Sequence, residues 1–127
     1  MTPWRFFSRE ELRCRCGCGG GWKDMDPGFM ASVSRLRREL GFAFHVSSAY
    51  RCLMHDVNSG GHGAHVTGCA IDIAISGPKA YELVSMAAAR GFRRIGINQR
   101  GPHDERFIHL DMLTKTDGYP CPRIWTY

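Results

Sequence analysis

The stretch Gly63-Ala64-His65-Val66-Thr67-Gly68-Cys69-Ala70-Ile71-Asp72 constrains the fold more than any other part of the chain. His65 and Asp72 are seven positions apart, a span of about 10 Å along a helix and roughly 20 Å or more along a strand. To serve one site, the chain must turn between them, and Gly68 supplies the turn. Beyond it Ala70 to Ile75 alternates as a strand, with Ile71, Ile73 and Ile75 on one face and Ala70, Asp72 and Ala74 on the other. Asp72 therefore sits between two small side chains that leave room beside it. Downstream, Phe107-Ile108-His109-Leu110-Asp111 repeats the pattern: Ile108, Leu110 and Met112 face one way, and Phe107, His109, Asp111 and Leu113 the other.

Two imidazoles and a carboxylate from separate segments suit one Zn²⁺, with the fourth position left to water, the catalytic rather than the structural arrangement. Taken singly, each of these residues reads as solvated or hydrogen-bonded. An aspartate inside an otherwise apolar strand, however, carries a charge that is costly without a partner, and His65, Asp72 and His109 together point to a metal.

At these residues the chain resembles a known family. His65-x-x-Gly68-x-Ala70-x-Asp72 is similar to the signature of the M15 zinc peptidases, which include D-Ala-D-Ala carboxypeptidases, peptidoglycan endopeptidases and many phage endolysins. Phe107 to Asp111 resembles the segment with that family's third zinc ligand. Ser47-Ser48-Ala49-Tyr50-Arg51-Cys52 resembles its S-G-Y-R-C segment, whose arginine contacts substrate. The resemblance runs from about Phe7 to Tyr127 and implies an α+β fold, a catalytic zinc and substrate contacts at Tyr50 and Arg51. Two positions depart from the pattern. Gly63 replaces the signature's leading serine, with His62 beside it, and Arg106 stands where several members carry an acidic general base three residues before the last ligand. Asp111, on the strand face of His109, and Glu105 or Asp104 in the preceding loop are the candidates for that base. Asp111 is equally suited to orienting His109.

The scaffold is legible in outline. Ser8 to Glu11 forms a capping box that opens a short helix. Asp26 and Pro27 start a longer one with an apolar stripe of Phe29, Val33, Leu36 and Leu40, ended by Gly41. Phe42, Phe44 and Val46 alternate as a strand, and Asn58 to Gly63 reads as a loop. Pro78 opens a helix burying Ala80, Leu83, Val84 and Ala87 and stopping at Gly91. Strands at Phe92 to Ile97 and Phe107 to Leu113 flank the loop Asn98 to Arg106. The expectation is a single α+β domain over 1–127, with 1–25 as a Cys/Gly-rich lead segment. In it, helices pack on one side of an antiparallel sheet and the zinc site lies on the sheet face.

A chain of 127 residues with 43% hydrophobic composition can bury one core. No apolar segment is long enough for a signal or a membrane span, so the reading is a soluble monomer made in the cytoplasm that acts on cell wall after release. The net charge is +5, with arginines at 35, 37, 38 and at 90, 93, 94. They read equally as a solvated basic face or as an attraction for an anionic polymer such as cell wall, and no nucleic-acid motif accompanies them. Six cysteines without a secretion signal indicate thiols or metal ligands rather than disulfides. Cys14, Cys16 and Cys18 are candidates for a second, structural ion, and Cys69 reads as a core residue. The expected function is zinc-dependent hydrolysis of peptidoglycan stem peptides or cross-links. The alternative is a zinc-stabilised cell-wall-binding or virion module of the same fold.

Overall fold

The computed structural model describes residues 4–127, so Met1, Thr2 and Pro3 of the lead segment lie outside the described residues. The elements run α1 (Arg9–Leu12), α2 (Pro27–Leu40), β1 (His45–Ser48), α3 (Leu53–Asn58), β2 (Ala70–Ala74), α4 (Gly77–Ala89), β3 (Arg94–Asn98), β4 (Phe107–Asp111) and β5 (Arg123–Thr126), with single 3-10 turns between several of them. Local signals account for the main helices. The Ser8 and Glu11 side chains cap α1 reciprocally, Asp26 accepts from the Phe29 N–H at 2.9 Å to start α2, and Gly41 closes α2 at φ 77°.

The sheet order is β1-β2-β4-β3-β5. The first four strands are antiparallel neighbours, as expected from sequence, but β5 adds to the edge parallel to β3, so the sheet is mixed rather than wholly antiparallel. Other departures are local. The strand expected from Phe42 begins at His45, although Phe44 is buried as its alternation requires. Leu53–Asn58 is helical, so the loop expected from Asn58 begins at Ser59. β4 ends at Asp111, so Met112 turns outward and Leu113 inward, and Cys69 is only half-buried at the core's rim.

Alternation divides the sheet chemically. One face carries Ile71, Ile73, Ile108, Leu110 and Ile95, all buried against Phe29, Met30, Val33 and Leu36 of α2 and Leu83 of α4. Removing this apolar area from water is the main force holding helices to sheet. On the other face, register aligns Ser48, Asp72, His109, Gly96 and Trp125 in one row across all five strands. The next row is Ala70, Asp111, Arg94 and Arg123. The sheet's buried polar side chains, Asp72, Arg94, His109 and Asp111, are therefore gathered on the face the core does not use.

Candidate metal centre and cleft

His65 reaches this face from a 3-10 turn, Ala64–Thr67, bracketed by glycines at φ 95° (Gly63) and 77° (Gly68). Gly68 is irreplaceable on two counts. Its left-handed backbone suits glycine, and a Cβ there would collide with the Asp24 carbonyl oxygen. The turn expected from Gly68 thus folds His65 back over Asp72. The His65 ring is fixed by Nδ1, 2.7 Å from the Ala49 carbonyl oxygen, and its Nε2 stands 3.4 Å from Asp72 Oδ1. His109, paired across the strands with Asp72, presents Nδ1 to the same Oδ1 at 2.9 Å. Its Nε2 donates to Asp111 Oδ2 at 2.7 Å.

One nitrogen of each imidazole is thus spoken for by an outer acceptor, and the other faces Asp72. The three donor atoms lie within 4.8 Å of one another, and each residue is no more than 6% exposed. Outer partners of this kind fix ring orientation in zinc sites, and a two-nitrogen, one-carboxylate set matches zinc chemistry. The residues present fit the ion. Burial pushes the Asp72 carboxyl up, but the hydrogen bonds and charge of His109 and His65 outweigh it and hold the group far below the ordinary carboxylate range. Burial disfavours a charged His109, yet its bonds to Asp111 and Asp72 raise its pKa above 6.5.

Arg51 braces the centre from the side. Its Nη2 lies 3.5 Å from Asp72 Oδ2, its Nη1 3.0 Å from Asp56 Oδ1, and its Nε donates to Ser48 Oγ at 3.0 Å. Asp56, buried, also accepts from the Gly63 N–H at 2.9 Å, so it ties Arg51 to the turn that carries His65. Asp111 is fully buried, and its Oδ1 accepts from Arg94 Nε at 2.8 Å and the Leu113 N–H at 3.1 Å. Both its oxygens are engaged. Arg94 is therefore no part of a solvated basic face, whereas Arg90 stays on the surface, paired with Glu39 at 2.7 Å.

The centre forms the floor of a cleft of about 760 Å³. One wall is aromatic. The Trp125 ring lies 5.2 Å from that of His109, and Tyr127 packs on Phe107 at 5.0 Å. Gly96 makes this wall possible, since a Cβ there would stand 2.7 Å from Trp125 and 2.8 Å from the Tyr127 hydroxyl. Arg51, Arg123 and His62 also line the cleft. The other expected residues sit elsewhere. Glu105 and Asp104 are exposed on a 3-10 turn before β4 and do not line the cleft. Tyr50 is half-buried against Gly20.

Sequence reasoning missed Asp56, Arg94, Trp125 and Tyr127. The alternation of Arg123 and Trp125 was the only available signal, and it lacks an apolar partner strand nearby in sequence. The family model described as Peptidase M15 matches residues 5–111. No curated protein matches the chain.

Proposed function

This chain belongs to the peptidase M15 family, a family of metallopeptidases, and from that premise we propose that it is a zinc peptidase cleaving amide bonds in the peptides of bacterial cell wall. The observation that carries the reading is the convergence of His65, Asp72 and His109 at the floor of an open cleft, next to an arginine and an aromatic wall. A Zn²⁺ ion held by these three residues supplies Lewis-acid polarisation of a carbonyl and acidification of water.

The chain's own groups divide the remaining work. Asp111 keeps His109 in the tautomer whose Nδ1 faces the centre. Arg51 uses three of its five N–H groups on Asp72, Asp56 and Ser48. The remaining two are free to bind a substrate carboxylate or a developing oxyanion, for which a rigid fork of donors is suited. Arg123, exposed over Trp125, adds a second cation along the cleft, which favours acidic stem peptides. Proton transfer falls to His62. Asp72 belongs to the metal set and Asp56 is held by Arg51 and Gly63, whereas His62 lines the cleft as an exposed imidazole.

The test is digestion of purified peptidoglycan by the zinc-loaded chain, with released fragments identified by mass spectrometry and His65→Ala as control. New peptide or amino-acid termini with wild type only are expected. Co-sedimentation with the wall and no release would make the chain a binding module instead.

A further inference from the structure

A second cluster of metal-binding groups lies outside the cleft. Cys14, Cys16, Cys18 and Cys52 bring four sulfurs within 4.8 Å of one another, although Cys52 is 36 residues from Cys16. Cys14 Sγ is 3.4 Å from Cys16 Sγ, and Cys16 Sγ is 3.6 Å from Cys52 Sγ. None of the cysteines forms a disulfide. Around a zinc ion with Zn–S bonds of about 2.3 Å, the edge of a regular tetrahedron is about 3.8 Å. The observed spacings are close to that edge.

The lead segment is shaped for this convergence. In an extended strand, sulfurs two residues apart would be separated by about 6.8 Å. Here the chain curls, with left-handed Gly17 (φ 82°) and Gly19 (φ 92°), and closes through the Cys14 N–H to Gly20 carbonyl bond at 2.9 Å. Two backbone amides donate to sulfur: Cys52 N–H to Cys14 Sγ at 3.3 Å and Gly20 N–H to Cys18 Sγ at 3.5 Å. Such donors stabilise thiolates, the form that binds metal. Arg15, next to Cys14 in the chain, ties this loop to its neighbours by donating to the Glu11 and Val46 carbonyls at 3.0 and 3.2 Å. Cys16 and Cys18 are exposed, which gives an ion a route in.

We propose that Cys14, Cys16, Cys18 and Cys52 form a structural site for one soft tetrahedral cation, Zn²⁺, separate from the His65–Asp72–His109 centre. All-sulfur tetrahedral ligation with no open position suits zinc and is the closed, structural arrangement. The sequence pattern alone offered three of the ligands. The fourth, Cys52, directly follows Arg51 and caps α3. The ion therefore fastens the lead loop to the segment that aims Arg51 at the cleft. The same loop meets Tyr50, whose ring leaves no space for a Cβ on Gly20. The proposal does not depend on peptidase activity.

Metal analysis of the full chain purified under reducing conditions tests it. Wild type should carry two zinc ions, and Cys16→Ser, Cys18→Ser and His65→Ala one each. Cobalt added to metal-free His65→Ala should give an intense near-ultraviolet thiolate-to-cobalt charge-transfer band. Cys16→Ser should lack that band while retaining its other ion. A zinc content unchanged by both cysteine variants, or a His65→Ala protein without the band, would overturn the proposal. Should the cysteine variants fail to fold, thiol titration of the wild type decides. Four thiols should become reactive only after a chelator is added, and equal reactivity before and after would overturn the site.

Discussion

Asp111 accepts the Nε2 proton of His109 at 2.7 Å from two positions along the same strand, and it does so from complete burial, with Arg94 against its other oxygen. The carboxylate thus reaches the metal centre only through the ring it orients. Asp111→Asn keeps the shape but weakens the acceptor and leaves Arg94 facing a neutral partner. Zinc affinity should fall about 10–100-fold, and the melting temperature should drop, because removing one charge of a buried pair is destabilising. Chelator competition and thermal unfolding measure both. Glu105→Gln should leave zinc affinity and turnover near wild type. If it abolishes turnover while Asp111→Asn is silent, the loop before β4 folds over the centre and supplies the base.

Arg51 joins Asp72 to Asp56 through two nitrogens of one planar group. Lysine keeps the charge but cannot span both carboxylates and a substrate. Arg51→Lys should lower kcat/KM by about tenfold or more while zinc content holds. Steady-state kinetics on a released-fragment assay, paired with metal analysis, would sink the assignment if turnover stays unchanged.

Gly96 is the low point over which the aromatic wall lies. Gly96→Ala pushes a methyl into Trp125 and Tyr127, and overpacking of this kind costs about 1–3 kcal/mol. Because β5 is an edge strand, the strain should be relieved by displacement of Trp125. A change in tryptophan fluorescence and a raised KM are expected, with zinc content intact. A variant with wild-type KM and emission would show that the wall does not contact substrate.

Protons and metal compete for the same atoms. In the metal-free protein His109 has a raised pKa, so its contribution to stability is fully present below about 6.5 and is lost as pH rises through the native value. Asp72 is depressed from 3.8, so its contribution is present above that value and is lost as pH falls through the native one. These two contributions are complete together only between about pH 3.8 and 6.5. Zinc requires the neutral His109 ring, so its added stabilisation should be larger near pH 8 than near pH 6. Differential scanning calorimetry with and without zinc checks the sign. An equal increment at both pH values would remove His109 from the ligand set.

Much of this was legible because it is local. The caps at Ser8 and Asp26, the stripe of α2 and the alternation of Ala70–Ala74 and Phe107–Asp111 each depend on residues close in sequence, and His65, Asp72 and His109 follow from the two strands and one glycine turn. What was not legible depends on distant partners. Arg94 looked like a surface cation because its acceptor is 17 residues away. β5 has weak alternation, and its edge pairing was not readable from sequence. Cys52 joins the cysteine loop only after β1 returns the chain to it.

The two faces of β2 and β4 carry incompatible instructions. Strand geometry sends successive side chains to opposite sides, so a slip of one residue in this pairing would drive Asp72 or His109 into the isoleucine layer and set Ile73 or Ile108 in the cleft. Chemistry and solvophobic layer are therefore written in antiphase along the same ten residues. The polar row works as a ruler against which the sheet is aligned, and any drift in alignment forfeits both stability and the meeting of Asp72 with His109 at once.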